Sequence, residues 1–224
     1  MATTNPVDGA PLIDIVIPIF DRLTALDAVG PYETLQRLPG ATVTFIGGRT
    51  GEYRTENGFL GITSDATYAD KPNPDVIVVP GGVGTRVAME DEELLDWLRS
   101  AHEHTTFTTS VCTGSIVLGA AGLLNGLTAT THWGAYDTLE KQGATPTGTR
   151  VVEHLDERII TAAGVSSGID MALRLSELLV DDVAAKAMQL MIEYDPQPPF
   201  DVGCIENSND EIMTRLLQYI EHKD

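Results

Sequence analysis

Lysine is scarce in this sequence: Lys71, Lys141, Lys186 and Lys223 are the only four in 224 residues. With ten arginines they make 14 basic side chains against 33 acidic ones, a formal charge of −19. So acidic a chain repels phosphate backbones and anionic lipid, which argues against a general nucleic-acid binder or a polybasic membrane-surface protein. Cysteine is nearly missing too. Cys112 and Cys204 cannot build a disulfide framework. No apolar run reaches bilayer-spanning length, and Met1 to Pro11 lacks the charged and apolar regions of a secretory leader. The expectation is a soluble protein of a reducing cytoplasm. The acidity is carried more by Asp (18) than by Glu (15). Short, strongly hydrated carboxylates with few lysine stems suit a surface kept soluble in concentrated salt, and equally an ordinary acidic enzyme from a low-salt cell.

What is present is a globular composition, with 42% hydrophobic residues, 21 Gly and 12 Pro. Apolar runs at Leu12 to Ile19, Ala41 to Ile46, Asp75 to Val79 and Thr105 to Val111 read as strands. Between them Ala28 to Leu38, Asp91 to His102, Thr113 to Leu124 and Trp133 to Gln142 read as helices. Arg150 to Glu153 and Arg158 to Thr161 form a hairpin pattern, and Gly168 to Val180, Asp182 to Tyr194 and Asp210 to His222 are helical. This alternation predicts an α/β fold: a mostly parallel sheet with helices on both faces, in one domain over residues 1–224. Pro196 to Pro199 ends the helix before it, and the remaining tail is too short for a two-motif DNA-reading domain.

The most informative segment is Thr108 to Gly122, T-T-S-V-C-T-G-S-I-V-L-G-A-A-G. A strand of branched residues runs into Cys112, and Thr113, Gly114 and Ser115 precede an apolar helix. A cysteine at a strand-to-helix turn sits at the carboxyl end of the sheet, where open α/β folds bind ligands. The helix amino terminus is expected to lower the thiol pKa, which marks Cys112 as a nucleophile; the alternative is a small buried hydrophobe. Pro80 to Gly84 (P-G-G-V-G) follows another buried strand, where Gly81 and Gly82 let backbone approach a ligand. It has neither the Walker lysine nor the dinucleotide spacing, which excludes nucleotide binding there. Asp27, among apolar neighbours before Gly30-Pro31, reads either as a helix cap or as a carboxyl group whose pKa rises by burial near a thiolate. His132 is a site neighbour that could approach Cys112, or else cap a helix or pack against Trp133. His102, His104, His154 and His222 show no metal-ligand spacing. Cys204 has no base motif near it.

Together these motifs carry a resemblance. L-D-A-V-G-P (Leu26 to Pro31), V-V-P-G-G (Val78 to Gly82), S-V-C-T-G-S (Ser110 to Ser115), A-T-T-H-W (Ala129 to Trp133), G-I-D (Gly168 to Asp170) and E-Y-x-P-x-P-P-F (Glu193 to Phe200) resemble the DJ-1/PfpI superfamily. Within it they are most similar to the isonitrile hydratase branch. The resemblance implies a flavodoxin-like sandwich, a homodimer and a small-molecule substrate. It places Cys112 as nucleophile, Asp27 as acid and then base, Thr113 beside the nucleophile, and the N–H groups of Thr113 and Gly82 around an anion-holding pocket. On this reading the Cys112 thiolate attacks the isocyanide carbon while neutral Asp27 gives a proton, with no metal or organic cofactor. Protease-like members carry histidine where Thr113 stands, which disfavours a peptidase. A glyoxalase or deglycase acting through Cys112, and a non-catalytic ligand or oxidation sensor, remain the alternatives.

Overall fold

A computed structural model describes residues 12–221; Met1 to Pro11, the segment without a leader pattern, and His222, the expected end of the last helix, lie outside the described residues. Contacts divide the chain into two compact units, residues 1–193 and 194–224.

The first unit is built on a seven-stranded sheet. The strands are β1 (Ile13–Pro18), β2 (Ala41–Gly47), β3 (Gly51–Arg54), β4 (Gly61–Ser64), β5 (Ala66–Thr67), β6 (Val76–Val79), β7 (Phe107–Val111), β8 (Thr128–Ala129), β9 (Thr145–Pro146), β10 (Val151–His154) and β11 (Ile159–Ala162). The large sheet runs β10-β11-β7-β6-β1-β2-β5, parallel throughout except for the β10–β11 hairpin. β6 and β7 are buried at every position, the reason V-I-V-V and F-T-T-S-V show no alternation.

Helices cover both faces. On one side α1 (Ala25–Leu35), α6 (Ser167–Leu179) and α7 (Asp182–Met191) pack on Ile13, Ile15, Ile17, Val78 and Val111. On the other, α3 (Glu92–His102), α4 (Gly114–Ala120) and α5 (Tyr136–Lys141) pack on Val16, Ile77 and Val79, with the short α2 (Thr85–Ala88) leading in. Fully buried Ile15, Ile17, Ile77, Leu94, Leu98 and Leu118 each contribute about 1.5–3 kcal/mol of burial free energy. The expected three-layer α/β sandwich is what forms.

Strand order reverses between β1 and β6: β2 lies to one side of β1, while β6, β7 and β11 follow on the other. At such a switch point the connections leave in opposite directions and open a crevice at the carboxyl ends. The segments after β1, β6 and β7 that carry Asp27, Gly81 and Cys112 all start there.

Several boundaries differ from the sequence pattern. α1 begins at Ala25 rather than Ala28, so Asp27 lies within its first turn, and Thr24 is the cap. Pro31 sits inside the helix, where it lacks the N–H that the Asp27 carbonyl would accept. α4 stops at Ala120, where the chain turns through Gly122 at φ +82°. The β3–β4 hairpin was not anticipated. In the second unit, the proline-rich stretch leads to a 3₁₀ turn (Ile205–Asn207) and α8 (Asp210–Glu221), where Ile212, Leu217, Tyr219 and Ile220 are exposed.

Candidate active site

β7 delivers Cys112 into a left-handed conformation, φ +57°. A non-glycine residue held there costs about 1–3 kcal/mol and persists only when its surroundings fix it. They do: the Cys112 N–H donates to the carbonyls of Ala162 (3.0 Å) and Ala163 (3.1 Å). Its own carbonyl accepts from the hydroxyls of Thr131 (3.0 Å) and Ser115 (3.2 Å). The strained turn fixes a side chain only 5% exposed. Backbone N–H groups of Thr113 and Val165 act on the thiol and favour its anion.

Asp27 is completely buried. Its Oδ2 accepts the Gly81 N–H at 2.9 Å, while Oδ1 has no hydrogen-bond partner. An apolar enclosure with so few donors penalises the carboxylate, and burial raises Asp27 to about 7; the bond from Gly81 and the Cys112 thiol oppose the rise, and Glu56 adds to it. The expected rise is therefore present, and the helix-cap alternative is not what the structure shows.

The expected depression of the Cys112 pKa is overturned. Burial, then the charge of Asp27, push the thiol up, outweighing the N–H groups of Thr113 and Val165. The two groups are coupled: with Asp27 near 7 and the thiol higher, the pair holds both protons below neutrality and is a thiol beside a carboxylate only above it. A preformed thiolate beside neutral Asp27 has the same proton count but is the less stable arrangement.

The glycine loop is committed to the protein more fully than expected. Besides the Gly81 N–H held by Asp27, the Gly82 N–H goes to Thr113 Oγ1 at 2.9 Å, and that hydroxyl donates back to the Gly82 carbonyl at 3.2 Å. Gly82 therefore does not offer its N–H to an anion pocket; the bond to Thr113 consumes it. Thr113 instead clamps the glycine loop to the Cys112 turn. Glycine is required at 81 because a Cβ there would lie 2.5 Å from the Thr113 nitrogen and 2.9 Å from Asp27 Oδ2.

His132 is the cap of a 3₁₀ turn, its Nδ1 accepting the Gly134 N–H at 3.2 Å. Its ring lies 5.0 Å from that of Trp133 and against Gly164, where a Cβ would come within 2.6 Å. Burial lowers its pKa. The capping and packing roles are both seen. Val165 and Glu56 were not anticipated: one acts through its backbone, the other from the β3–β4 connection, so neither has a side-chain motif to read. Cys204 is exposed. No group of three or more His, Cys, Asp or Glu that could hold a metal ion occurs among the described residues. Nor is any helix among them long and apolar enough to cross a membrane.

A buried cysteine on a strained strand-to-helix turn, paired with a desolvated carboxyl group at the switch point of a parallel sheet, defines an α/β protein with a thiol–carboxyl pair where open sheets bind their ligands. The DJ-1/PfpI family pattern matches residues 14–178, and the chain belongs to the DJ-1/PfpI family. It is 44% identical over 185 residues to the isonitrile hydratase of Pseudomonas putida, covering 83% of this chain and 80% of that protein. An HTH-type transcriptional regulator of Pseudomonas aeruginosa is 28% identical, with 72% of this chain matching 48% of the regulator. Among solved structures, a ThiJ/PfpI family protein from Pseudomonas syringae superposes with a TM-score of 0.89 at 34% identity, over 97% of this chain and 90% of that one. Drosophila melanogaster DJ-1beta, at 20% identity and a TM-score of 0.74, shares the fold over 82% of this chain and 98% of its own.

Proposed function

We propose that the protein hydrates an isocyanide, R–N≡C, to the N-substituted formamide, as an isonitrile hydratase-like hydro-lyase. The observation that carries this reading is the buried Cys112–Asp27 pair, supported by the 44% identity to an isonitrile hydratase. In the first step Sγ bonds to the terminal isocyanide carbon while the thiol proton passes through Asp27 to that same carbon, giving the thioimidate S–CH=N–R. Asp27, ionised again, takes a proton from water as its oxygen adds to the thioimidate carbon. The proton is returned, the C–S bond breaks, and R–NH–CHO leaves with the thiol restored. Water and isocyanide are consumed in equal number. One carboxyl group relays the proton in both directions, which suits a pKa near neutrality.

Thr113 and Gly81 support the pair, and His132 closes the wall beside Gly164. A homodimer in the cytoplasm is part of the same proposal. The test is a substrate panel. Wild type is expected to convert p-nitrophenyl isocyanide and Cys112→Ala to lose turnover. Full activity of Cys112→Ala would end the proposal, and preferential consumption of methylglyoxal would replace it with a glyoxalase or deglycase.

A further inference from the structure

Glu56 lies in the connection from β3 to β4, outside every motif that marked the site. Its backbone N–H donates to the Leu23 carbonyl at 3.1 Å, and a parallel bridge joins Leu23 to Thr55. Its Oε1 accepts two bonds, from Thr24 Oγ1 at 2.8 Å and from the Val83 N–H at 3.2 Å. Thr24 caps the helix that carries Asp27, and Val83 belongs to the glycine loop. The same two segments are joined by the Thr24 N–H to the Gly81 carbonyl at 2.9 Å. The close approach leaves no room for a side chain, since a Cβ on Gly82 would lie 2.5 Å from the Thr24 nitrogen. One carboxylate oxygen thus staples together the two segments whose separation decides whether the Gly81 N–H meets Asp27 Oδ2.

We propose that Glu56 is a positioning residue for the Cys112–Asp27 pair: its Oε1 staples the glycine loop to the cap of α1, and its negative charge faces the buried carboxyl group. The inference rests on the reading of Cys112 and Asp27 as the reacting pair. The titratable groups acting on Asp27 are Cys112, on the turn after β7, and Glu56, from the hairpin connection. Glu56 acts on His132 as well. A carboxylate on this staple discourages ionisation of Asp27, whereas a neutral amide makes the same two bonds without that field.

The two functions separate in two variants of the full-length chain. Glu56→Gln keeps an acceptor oxygen and removes the charge; Glu56→Ala removes both. Two readouts are taken from pH 5 to 10: kcat and KM for p-nitrophenyl isocyanide, and the rate of Cys112 alkylation by iodoacetamide, measured on the Cys112 peptide so that Cys204 does not contribute. Glu56→Gln is expected to hold the plateau rates within about twofold and move the acidic limb of both profiles down by about half a pH unit, the scale of one partly screened charge. Glu56→Ala is expected to lose about tenfold in kcat with KM little changed, because the pair is misplaced while the fold, checked by circular dichroism, remains. Wild-type limbs and plateaus in both variants would overturn the proposal, as would an equal loss in both with no movement of the limb. If wild type hydrates no isocyanide, the hydratase reading falls, and the alkylation limbs still decide the role of Glu56.

Discussion

The backbone N–H of Gly81 donates to Oδ2 of Asp27 at 2.9 Å, and it is the one hydrogen bond made by nitrogen or oxygen to that buried carboxyl group among the described residues. A carboxylate that accepts two or three such bonds is held as an anion, far below its ordinary pKa. With one, Asp27 stays poised near neutrality rather than locked as an anion, and the proton it exchanges with Cys112 is the centre of the proposed chemistry.

The pH profile follows from that poise. With Asp27 raised to about 7 and the thiol pushed up, the active form holds a single proton on the pair. Activity, as kcat/KM, is expected to rise through about pH 7 as the doubly protonated pair loses its first proton, then to stay level into the alkaline range. A steady-state profile with p-nitrophenyl isocyanide checks this; an acidic limb near pH 4 would mean that Asp27 is an ordinary carboxylate.

Burial of Asp27 also costs stability, and the sign is definite. A carboxyl group moved from 3.8 to about 7 on folding favours the protonated folded state. Its penalty is absent below about pH 4, grows between 4 and 7 and is complete above 7, where it reaches roughly 4 kcal/mol as an upper bound. Asp27→Asn is therefore expected to melt at a higher temperature than wild type at pH 8 and at about the same temperature at pH 4, as differential scanning calorimetry would record.

Thr113→Val keeps the shape of the side chain and removes the hydroxyl that clamps Gly82. An unsatisfied N–H in the buried loop is expected to cost about 1–3 kcal/mol, measured by urea unfolding, together with a fall in kcat from the loosened turn. A variant as stable and as active as wild type would show that the clamp is dispensable.

Of the 33 acidic residues behind the charge of −19, the proposed site uses two, Asp27 in the reacting pair and Glu56 beside it. Self-repulsion among carboxylates is screened over about 10 Å at 0.1 M salt and about 3 Å at 1 M. The melting temperature is expected to rise as KCl is added from 0.05 to 1 M, with little effect on KM for an uncharged isocyanide. A melting temperature indifferent to salt would show that the acidity carries no such cost.

The parallel sheet was legible because burial on both faces leaves continuous apolar runs, and Cys112 was legible because β7 passes directly into the helix behind it. Asp27 was ambiguous. The expected helix opens at Ala28, just after Asp27, whereas α1 opens at Ala25 and takes Asp27 into its first turn. The β3–β4 hairpin escaped because G-E-Y-R and G-I-T-S bury only Tyr53 and Ser64, too few to mark a strand period. Glu56 on its connection and the Val165 N–H escaped with it. Their contributions exist only once the chain has folded them against the carboxyl ends of the sheet. The thiol pKa was misjudged for a related reason: the helix terminus is local and readable, while the depth of burial and the facing carboxyl group are not.

The most direct test of the account is a rapid-quench single turnover of wild type with an isocyanide, followed by mass analysis of the Cys112 peptide. The account predicts a transient adduct on Cys112 heavier by the full mass of the isocyanide, appearing before the formamide and decaying into it. Formamide produced at the wild-type rate with Cys112 unmodified at every time point would contradict it.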